Sequence, residues 1–229
     1  EGQMLGSIGH AAAFSFNFYK NMTCGEGGAV ATSEPDVARS ARCMIDCCSF
    51  YWKGREDEFV PFASSGARAS ELEGAMLNVQ LDRIDGIIEE LRQQKSRILA
   101  ELEDTALTPS PRNSPDYECG SHVMFTFDTP EQATDFAEHA GGTVCGNTGR
   151  HIYTEWDPIF ARRGAHHPAL DPFQLDANAE CRMDYTREMC QPSLDIVNRT
   201  VMIATNPDRD DTEVTRLIET LRDAAAEVI

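Results

Sequence analysis

The chain has 229 residues, 41% of them hydrophobic and 25% charged, which is the composition of a globular protein with a buried core. Its formal net charge of −18 argues against a nucleic-acid partner, because phosphate binding requires a basic surface that releases counterions. No apolar run is long enough to cross a bilayer, so we expect no membrane partner, and no secretory leader is visible after Glu1.

The N-terminal part of the chain predicts two short strands followed by a helix. Residues 8–18 change from small to aromatic side chains, a pattern typical of a buried strand that runs into a loop. A glycine turn over residues 24–28 leads to a second strand at 29–32. A helix should then begin with Pro35 in its first turn.

The longest predicted helical segment follows a loop over residues 49–68. Asp82, followed by Asp85, could cap a second helix, so we expect a break near residues 81–82. The apolar residues of the segment recur at helical spacing in two stripes, one of Leu72, Met76 and Val79 and one of Ile84, Ile88, Leu91, Ile98 and Leu102.

Residues 105–115 are rich in Pro, Ser, Thr and Asn and mark the predicted domain boundary. One domain covers residues 1–104 and a smaller one covers 105–229. Residues 145–195 of the smaller domain are predicted to be irregular. Strands and helices alternate around them, so the fold class is α/β or α+β, with elements at 122–127, 130–139, 143–144, 200–204 and 211–228.

The eight cysteines favour reduced thiols in a cytoplasmic protein over a disulfide framework, because the chain is neither short nor evidently secreted. Cys43, Cys47 and Cys48 lie on a predicted helix without a histidine at ligand spacing, and no paired Cys-x-x-Cys signature is present. The adjacent His166 and His167 diverge in direction. We therefore expect no metal site.

Lys20 is one of only three lysines, with Lys53 and Lys95, and it lies between aromatic residues and a glycine cluster. A lysine amine becomes a nucleophile when burial or a neighbouring cation keeps it neutral, and the aromatic side chains offer apolar walls. Ser15, five residues earlier at the presumed strand end, could donate a hydrogen bond to a phosphate oxygen. The alternative is a strand-end lysine that reaches solvent.

Residues 6–32 resemble the active-site segment of the DegT/DnrJ/StrS family, the sugar aminotransferases of fold type I that depend on pyridoxal 5'-phosphate (PLP). The family pattern is Ser-Phe, three variable residues, Lys, and then Gly-Glu-Gly-Gly, and every element of it is present from Ser15 through Lys20 to Gly28. A second family pattern departs at Ser64, where the family has glycine. It also departs at Gly66, where the family has an asparagine that reaches the cofactor phosphate of the neighbouring subunit. The residues that fit this second pattern are Arg68, Ser70, Glu71, Gln80 and Leu81.

The resemblance implies a PLP-dependent transferase of fold type I, similar to aspartate aminotransferase. Residues 1–104 would be the C-terminal part of the large PLP-binding domain with long connecting helices, and residues 105–229 a small C-terminal α+β domain. Lys20 would be the Schiff-base lysine and the catalytic base, and Ser15 would hold the cofactor phosphate.

The resemblance also implies a reaction and an assembly. Glutamate or glutamine would leave its amino group as pyridoxamine 5'-phosphate, and a nucleotide-linked keto-sugar would then take it. Such reactions serve amino-sugar, cell-surface glycan or secondary-metabolite biosynthesis, and the family implies a homodimer with a shared active site. A sister branch that dehydrates sugars has histidine in place of the lysine, so Lys20 favours transamination.

Three further residues are candidates for substrate binding. His151 and Tyr153 lie where family members place a histidine near the substrate pocket, although a surface or core histidine is an equal alternative for His151. Arg68 could bind phosphate or carboxylate through two donors. Its alternative role is a salt bridge at a helix start with Glu71 or its neighbours.

In the family, the ring-binding aspartate, the stacking aromatic residue and the phosphate-binding helix amides all lie upstream of the lysine. We therefore expect this chain to be the C-terminal portion of an enzyme, either truncated or paired with a separate N-terminal half, and to bind PLP poorly alone. The alternatives are a non-catalytic remnant, a regulatory or dimerisation module, or a dehydratase or epimerase on the same fold.

Overall fold

The computed structural model describes residues 2–51, 59–181 and 184–229. The chain forms two compact units, residues 1–87 and residues 88–229, and the division falls inside a long helix. The predicted domain boundary after residue 104 stays a prediction. No helix in the described ranges combines the length and the apolar character that a membrane span requires.

The first unit contains a two-stranded antiparallel sheet of β1 (Ala12–Ser15) and β2 (Gly28–Ala31). Both strands lie where the sequence predicts them. The expected burial of the first strand is wrong, because Ala12 is half-buried and the other three residues are exposed. A two-stranded sheet leaves its faces open unless another layer packs on them.

Helix α1 (Pro35–Ile45) follows β2 and begins at the predicted proline. Its buried Cys43 lies against the segment before the next helix, because the Cys43 thiol is 3.3 Å from both the backbone nitrogen and the backbone oxygen of Phe62. The Ser64 hydroxyl donates to the Cys43 carbonyl at 3.0 Å, and the Ala67 N–H donates to the Ile45 carbonyl at 2.9 Å. Hydrogen bonds therefore connect the end of α1 to residues 62–67.

Helix α2 (Glu71–Glu101) is continuous, so the predicted break near residues 81–82 is wrong. The true N-terminal cap is Ser70, whose hydroxyl accepts from the Glu73 N–H at 3.2 Å while the Glu73 carboxylate accepts from the Ser70 N–H at 2.5 Å. Hydrogen bonds to the Glu73 carboxylate from the backbone N–H and then the side chain of Ser70 lower the pKa of Glu73. Asp82 is followed at the corresponding position by Asp85, which is not one of the longer Glu or Gln side chains that complete a capping box.

The second unit is built on a three-stranded antiparallel sheet in the order β3 (His122–Thr126), β5 (Thr200–Ala204), β4 (Thr143–Val144). Helices α3 (Pro130–Ala140) and α6 (Asp211–Val228) contact each other and share one hydrophobic core with the sheet. All five elements confirm their predicted positions. The largest fully buried side chains of this core are Phe125, Phe136, Ile98, Leu221, Val123 and Val201.

Residues 145–195 are irregular, as predicted, and their described part contains 3-10 turns and the short helices α4 (Asp157–Phe160) and α5 (Gln191–Val197). Asp171 organises the middle of this stretch, with only 2% of its surface exposed. Its carboxylate accepts from the N–H groups of Gly164 at 3.2 Å and Phe173 at 3.1 Å, and from the Gln174 side chain at 2.9 Å. Burial would raise the pKa of Asp171, but these hydrogen bonds favour the charged form and lower it overall.

Candidate functional site

The glycine-rich motif closes the end of the two-stranded sheet. Ser15, the last residue of β1, pairs with Gly28, the first residue of β2. A Cβ atom on Gly28 would lie 2.7 Å from the carbonyl oxygen of Phe14, so no larger residue fits this pairing without a backbone shift. Gly27 has φ +151° and Gly25 has φ +93°, both in the range that favours glycine. The motif is therefore required by local geometry.

Phe16 anchors the loop that carries the lysine. Its N–H donates to the Gly27 carbonyl at 2.9 Å, and its carbonyl accepts from the Cys24 N–H at 3.0 Å and from the Thr23 hydroxyl at 3.2 Å. Cys24 is buried, and its thiol lies 3.0 Å from the carbonyl of Glu26. These bonds fix both ends of residues 17–23 at the edge of the sheet.

Lys20 ends a tight turn that starts at Asn17. The Lys20 N–H donates to the Asn17 carbonyl at 3.0 Å, and the Asn17 side-chain oxygen accepts from the Tyr19 N–H at 3.2 Å. Sequence reasoning did not assign this positioning role to Asn17, although an asparagine three residues before the lysine is a recognisable turn signal.

The Lys20 side chain is exposed and forms no hydrogen bond or ion pair within the described ranges. Phe18 and Tyr19, with 72% and 78% of their surfaces exposed, do not enclose the amine. The expected apolar walls are therefore not formed by these neighbours. The amine is accessible, and a ligand could reach it without breaking an internal ion pair.

Ser15 carries an exposed hydroxyl at the end of β1, directly before the same loop. Its oxygen accepts from the Asn17 N–H at 3.4 Å, which leaves the hydroxyl hydrogen free to donate. The Ser15 hydroxyl, at the end of β1, and the accessible Lys20 amine are five residues apart in the chain. Asn17 hydrogen-bonds to both residues, because its N–H donates to the Ser15 hydroxyl and its carbonyl accepts from the Lys20 N–H.

The remaining candidates lie elsewhere along the chain. Arg68 is largely exposed, and its guanidinium lies 3.7 Å from the carboxylate of Asp46. His151 is exposed in a 3-10 turn of the second unit. Their proposed contacts with substrate stay predictions.

Tyr153 has a structural role that its sequence position did not reveal. Its hydroxyl donates to the Arg187 carbonyl at 2.5 Å and accepts from the Cys190 N–H at 3.2 Å. Both hydrogen-bonding directions of the hydroxyl therefore serve to hold residues 187–190. A substrate contact by Tyr153, which also stays a prediction, would have to use the ring or replace one of these bonds.

The family model for the DegT/DnrJ/EryC1/StrS aminotransferase family matches residues 1–153, which include the complete lysine motif. This chain belongs to that family. The predicted family is thereby confirmed.

Two curated relatives match shorter stretches. GDP-perosamine synthase of Caulobacter vibrioides is 32% identical over 88 residues, 37% of this chain and 22% of that protein. The dTDP-3-amino-3,4,6-trideoxy-alpha-D-glucose transaminase of Streptomyces venezuelae is 32% identical over 85 residues, 37% of this chain and 21% of that protein.

Solved structures of family members have the same fold. DesV of S. venezuelae superimposes with a TM-score of 0.65 at 20% identity, over 98% of this chain and 54% of that one. Spr1654 from Streptococcus pneumoniae, in its PLP-form, gives 0.65 at 14% identity, over 100% of this chain and 55% of that one. The predicted fold type I is confirmed. The chain spans about half the length of these solved relatives. The sequence match to each of the two curated relatives covers about a fifth of that relative's length.

Proposed function

We propose that Lys20 is the reactive amine of a PLP-dependent aminotransferase that transfers an amino group from glutamate or glutamine to a keto-sugar. The observation that supports this proposal is the segment from Ser15 to Lys20, in which both the Ser15 hydroxyl and the Lys20 side chain are exposed and Asn17 hydrogen-bonds to each residue. The complete lysine motif and the family membership support it.

Each residue has a defined task in this proposal. The Ser15 hydroxyl donates to a phosphate oxygen of the cofactor, a charge-assisted hydrogen bond that also fixes orientation. Lys20 Nζ would bind the cofactor aldehyde with release of water and, when not bound to it, would act as the general base that moves a proton at the reacting carbons. The pyridine ring of bound PLP supplies the electron sink for this chemistry. Asn17 positions the lysine through its turn.

The proposed acceptor is a nucleotide-linked keto-sugar used in amino-sugar, cell-surface glycan or secondary-metabolite biosynthesis. GDP-perosamine synthase and the dTDP-sugar transaminase are both named for nucleotide-linked sugars, and both share more than 30% identity with this chain over the matched residues. His151, Tyr153 and Arg68 remain the proposed substrate contacts.

We also propose that the protein works as a homodimer. One face of the first half of α2 carries the side chains of Leu72, Met76 and Val79, which expose 77%, 47% and 59% of their surfaces. An apolar stripe of this kind, at helical spacing, is typical of a surface that another protein covers. A second copy of the chain would cover it in a dimer that shares its active site.

Reductive labelling tests the role of Lys20. PLP is added to the chain, borohydride reduces the bond between aldehyde and amine, and peptide mass spectrometry locates the pyridoxyl group. We expect it on Lys20 in preference to Lys95, whose ammonium is buried and paired with Glu118 at 2.8 Å. Lys53 lies outside the described residues and serves as a third internal comparison. Equal labelling of all three lysines, or none on Lys20, would contradict the proposal.

The Ser15→Ala variant tests the phosphate contact. Loss of one charge-assisted hydrogen bond should weaken PLP binding about tenfold or more while the amine stays intact. The matched control is Ser33→Ala, because Ser33 is also exposed. Equal PLP affinity in Ser15→Ala and Ser33→Ala would remove Ser15 from the site.

A product assay separates transamination from the alternatives. The chain, mixed with a matching N-terminal half, is incubated with PLP, an amino donor and a nucleotide-linked keto-sugar, and mass spectrometry follows the sugar. Transfer of an amino group that is lost in Lys20→Arg supports the aminotransferase. A dehydrated or epimerised sugar would instead support the alternative enzymes, and an unchanged sugar would favour a non-catalytic module.

A further inference from the structure

The second unit contains a cleft that the reaction at Lys20 does not use. It lies between α2, the segment 109–113 and residues 118–124, and its volume is about 280 Å³. This volume is just below the range of roughly 300–1,000 Å³ found for ligand pockets, so a ligand would have to be small.

Two cations meet in this cleft around a single carboxylate. Lys95, of which only 8% is exposed, donates to one oxygen of Glu118 at 2.8 Å. Arg112 donates to the other oxygen at 3.1 Å. An ammonium has three N–H donors and a guanidinium has five, and Glu118 is the one acceptor found for each within the described ranges. Each cation therefore has further N–H donors beyond the one that Glu118 accepts, and both residues line the cleft.

The other polar groups of the lining complete a set of donors. Asn113 contributes a side-chain amide, and the Ser121 hydroxyl lies 3.1 Å from Nδ1 of His122. Burial and the charge of Lys95 lower the pKa of His122, so its ring is neutral near pH 7. The lining therefore contains two positive side chains, Lys95 and Arg112, and one negative side chain, Glu118. Its net charge is positive, although the net charge of the whole chain is −18.

We propose that this cleft binds a small phosphate-bearing anion, with Lys95 and Arg112 as the principal donors to its oxygens. Arginine matches the geometry of phosphate oxygens through paired N–H groups, and lysine adds a compact charge. The hydroxyl of Ser121 and the amide of Asn113 also line the cleft and can donate to further oxygens of a tetrahedral oxyanion. Glu118 accepts from both cations, so it competes with the ligand for them and limits the affinity.

Calorimetric titration of the full chain with inorganic phosphate, at constant ionic strength and without PLP, tests this site. Arg112→Ala should raise the Kd about ten- to a hundredfold, the factor for one lost charge-assisted hydrogen bond. The matched control is Arg222→Ala, because Arg222 also pairs with one carboxylate, Asp104, and has a similar exposure of 43% against 37% for Arg112. The control should leave the Kd unchanged.

Glu118→Gln gives the opposite expectation, since the amide keeps the shape of the side chain and removes its competing charge. We expect the Kd to fall about tenfold, the factor for one additional charge-assisted hydrogen bond to the ligand. A higher Kd in this variant would show that the cations are not available to a ligand and would overturn the proposal. So would an absence of saturable binding, or an equal loss in Arg112→Ala and Arg222→Ala.

Two further comparisons locate the ligand and identify its source. A variant that lacks both Ser15 and Lys20, as Ser15→Ala and Lys20→Ala, should bind phosphate with the same Kd, which separates the cleft from the proposed cofactor site. Loss of binding in that variant would overturn the proposal.

Tighter binding of methyl phosphate than of inorganic phosphate would identify a phosphate ester as the ligand, and the reverse order would identify the free ion.

Discussion

Gly120 offers the sharpest test of how the second unit is packed. It is buried at the base of the cleft with φ +77°, and its carbonyl accepts from the buried Thr205 hydroxyl at 2.7 Å. A Cβ atom at this position would lie 2.8 Å from the backbone nitrogen of Arg92 and 2.9 Å from the carbonyl carbon and oxygen of Leu91. The backbone of α2 therefore blocks a side chain at residue 120.

The cost of Gly120→Ala follows from two separate terms. A left-handed backbone conformation costs a residue with a Cβ about 1–2 kcal/mol, and forcing an extra carbon into packed surroundings costs about 1–3 kcal/mol. The sum is about 2–5 kcal/mol, which is a large part of a typical stability of about 5–15 kcal/mol. For a chain of this size, each kcal/mol lowers Tm by about 2–4 °C, so we expect a fall of about 4–20 °C.

Gly141→Ala separates these two terms. Gly141 ends α3 with φ +67°, but a Cβ there would meet nothing within 4 Å. Thermal and urea denaturation followed by circular dichroism should therefore show a loss of about 1–2 kcal/mol for Gly141→Ala and a larger loss for Gly120→Ala. If the two variants unfold with the same free energy, α2 does not contact Gly120 as described.

Three further predictions concern the second unit. Phe136→Ala, which removes a fully buried ring, should cost about 3–5 kcal/mol in urea denaturation, whereas Tyr117→Ala, at a residue 75% exposed, should cost less than about 0.5 kcal/mol. Burial would raise the pKa of Glu118, but hydrogen bonds from its two cations outweigh it and lower the pKa below the ordinary 4.5. Its contribution to stability is therefore present above pH 4.5 and lost as the pH falls through the folded pKa, so Glu118→Gln should flatten the acid side of a stability–pH curve; an unchanged slope would contradict this. Tyr153→Phe should accelerate hydrogen exchange at the Cys190 amide, and unchanged exchange would show that the hydroxyl does not hold it.

Elements whose signals are local were predictable from the sequence. Helix α3 has a complete capping box of Thr129 and Gln132 and a left-handed glycine at its end, and α6 has a capping box of Asp210 and Glu213. Such caps depend only on residues three positions apart, so the chain specifies them wherever the helix lies. The same applies to the loop from Ser15 to Gly28.

Burial along α2 was not predictable, because it depends on what packs against each stretch. The stripe that contains Leu72 and the stripe that contains Ile98 have the same helical spacing, yet Leu72 is 77% exposed and Ile98 is 0% exposed. Ile98 faces strands and helices of the second unit, which are distant in sequence. Periodicity identifies an apolar face, and it does not identify the layer that covers the face.

The sequence by itself determined the family and the fold type, and it predicted Lys20 and Ser15 as partners in one site, because these depend on short patterns whose geometry is local. Only the tertiary structure decided that Lys95 is buried beside Glu118, 23 residues further along the chain, and that Arg112 joins them in a cleft. A charge pair between separate elements depends on how those elements pack, and hydrophobic burial, which is non-directional, drives that packing.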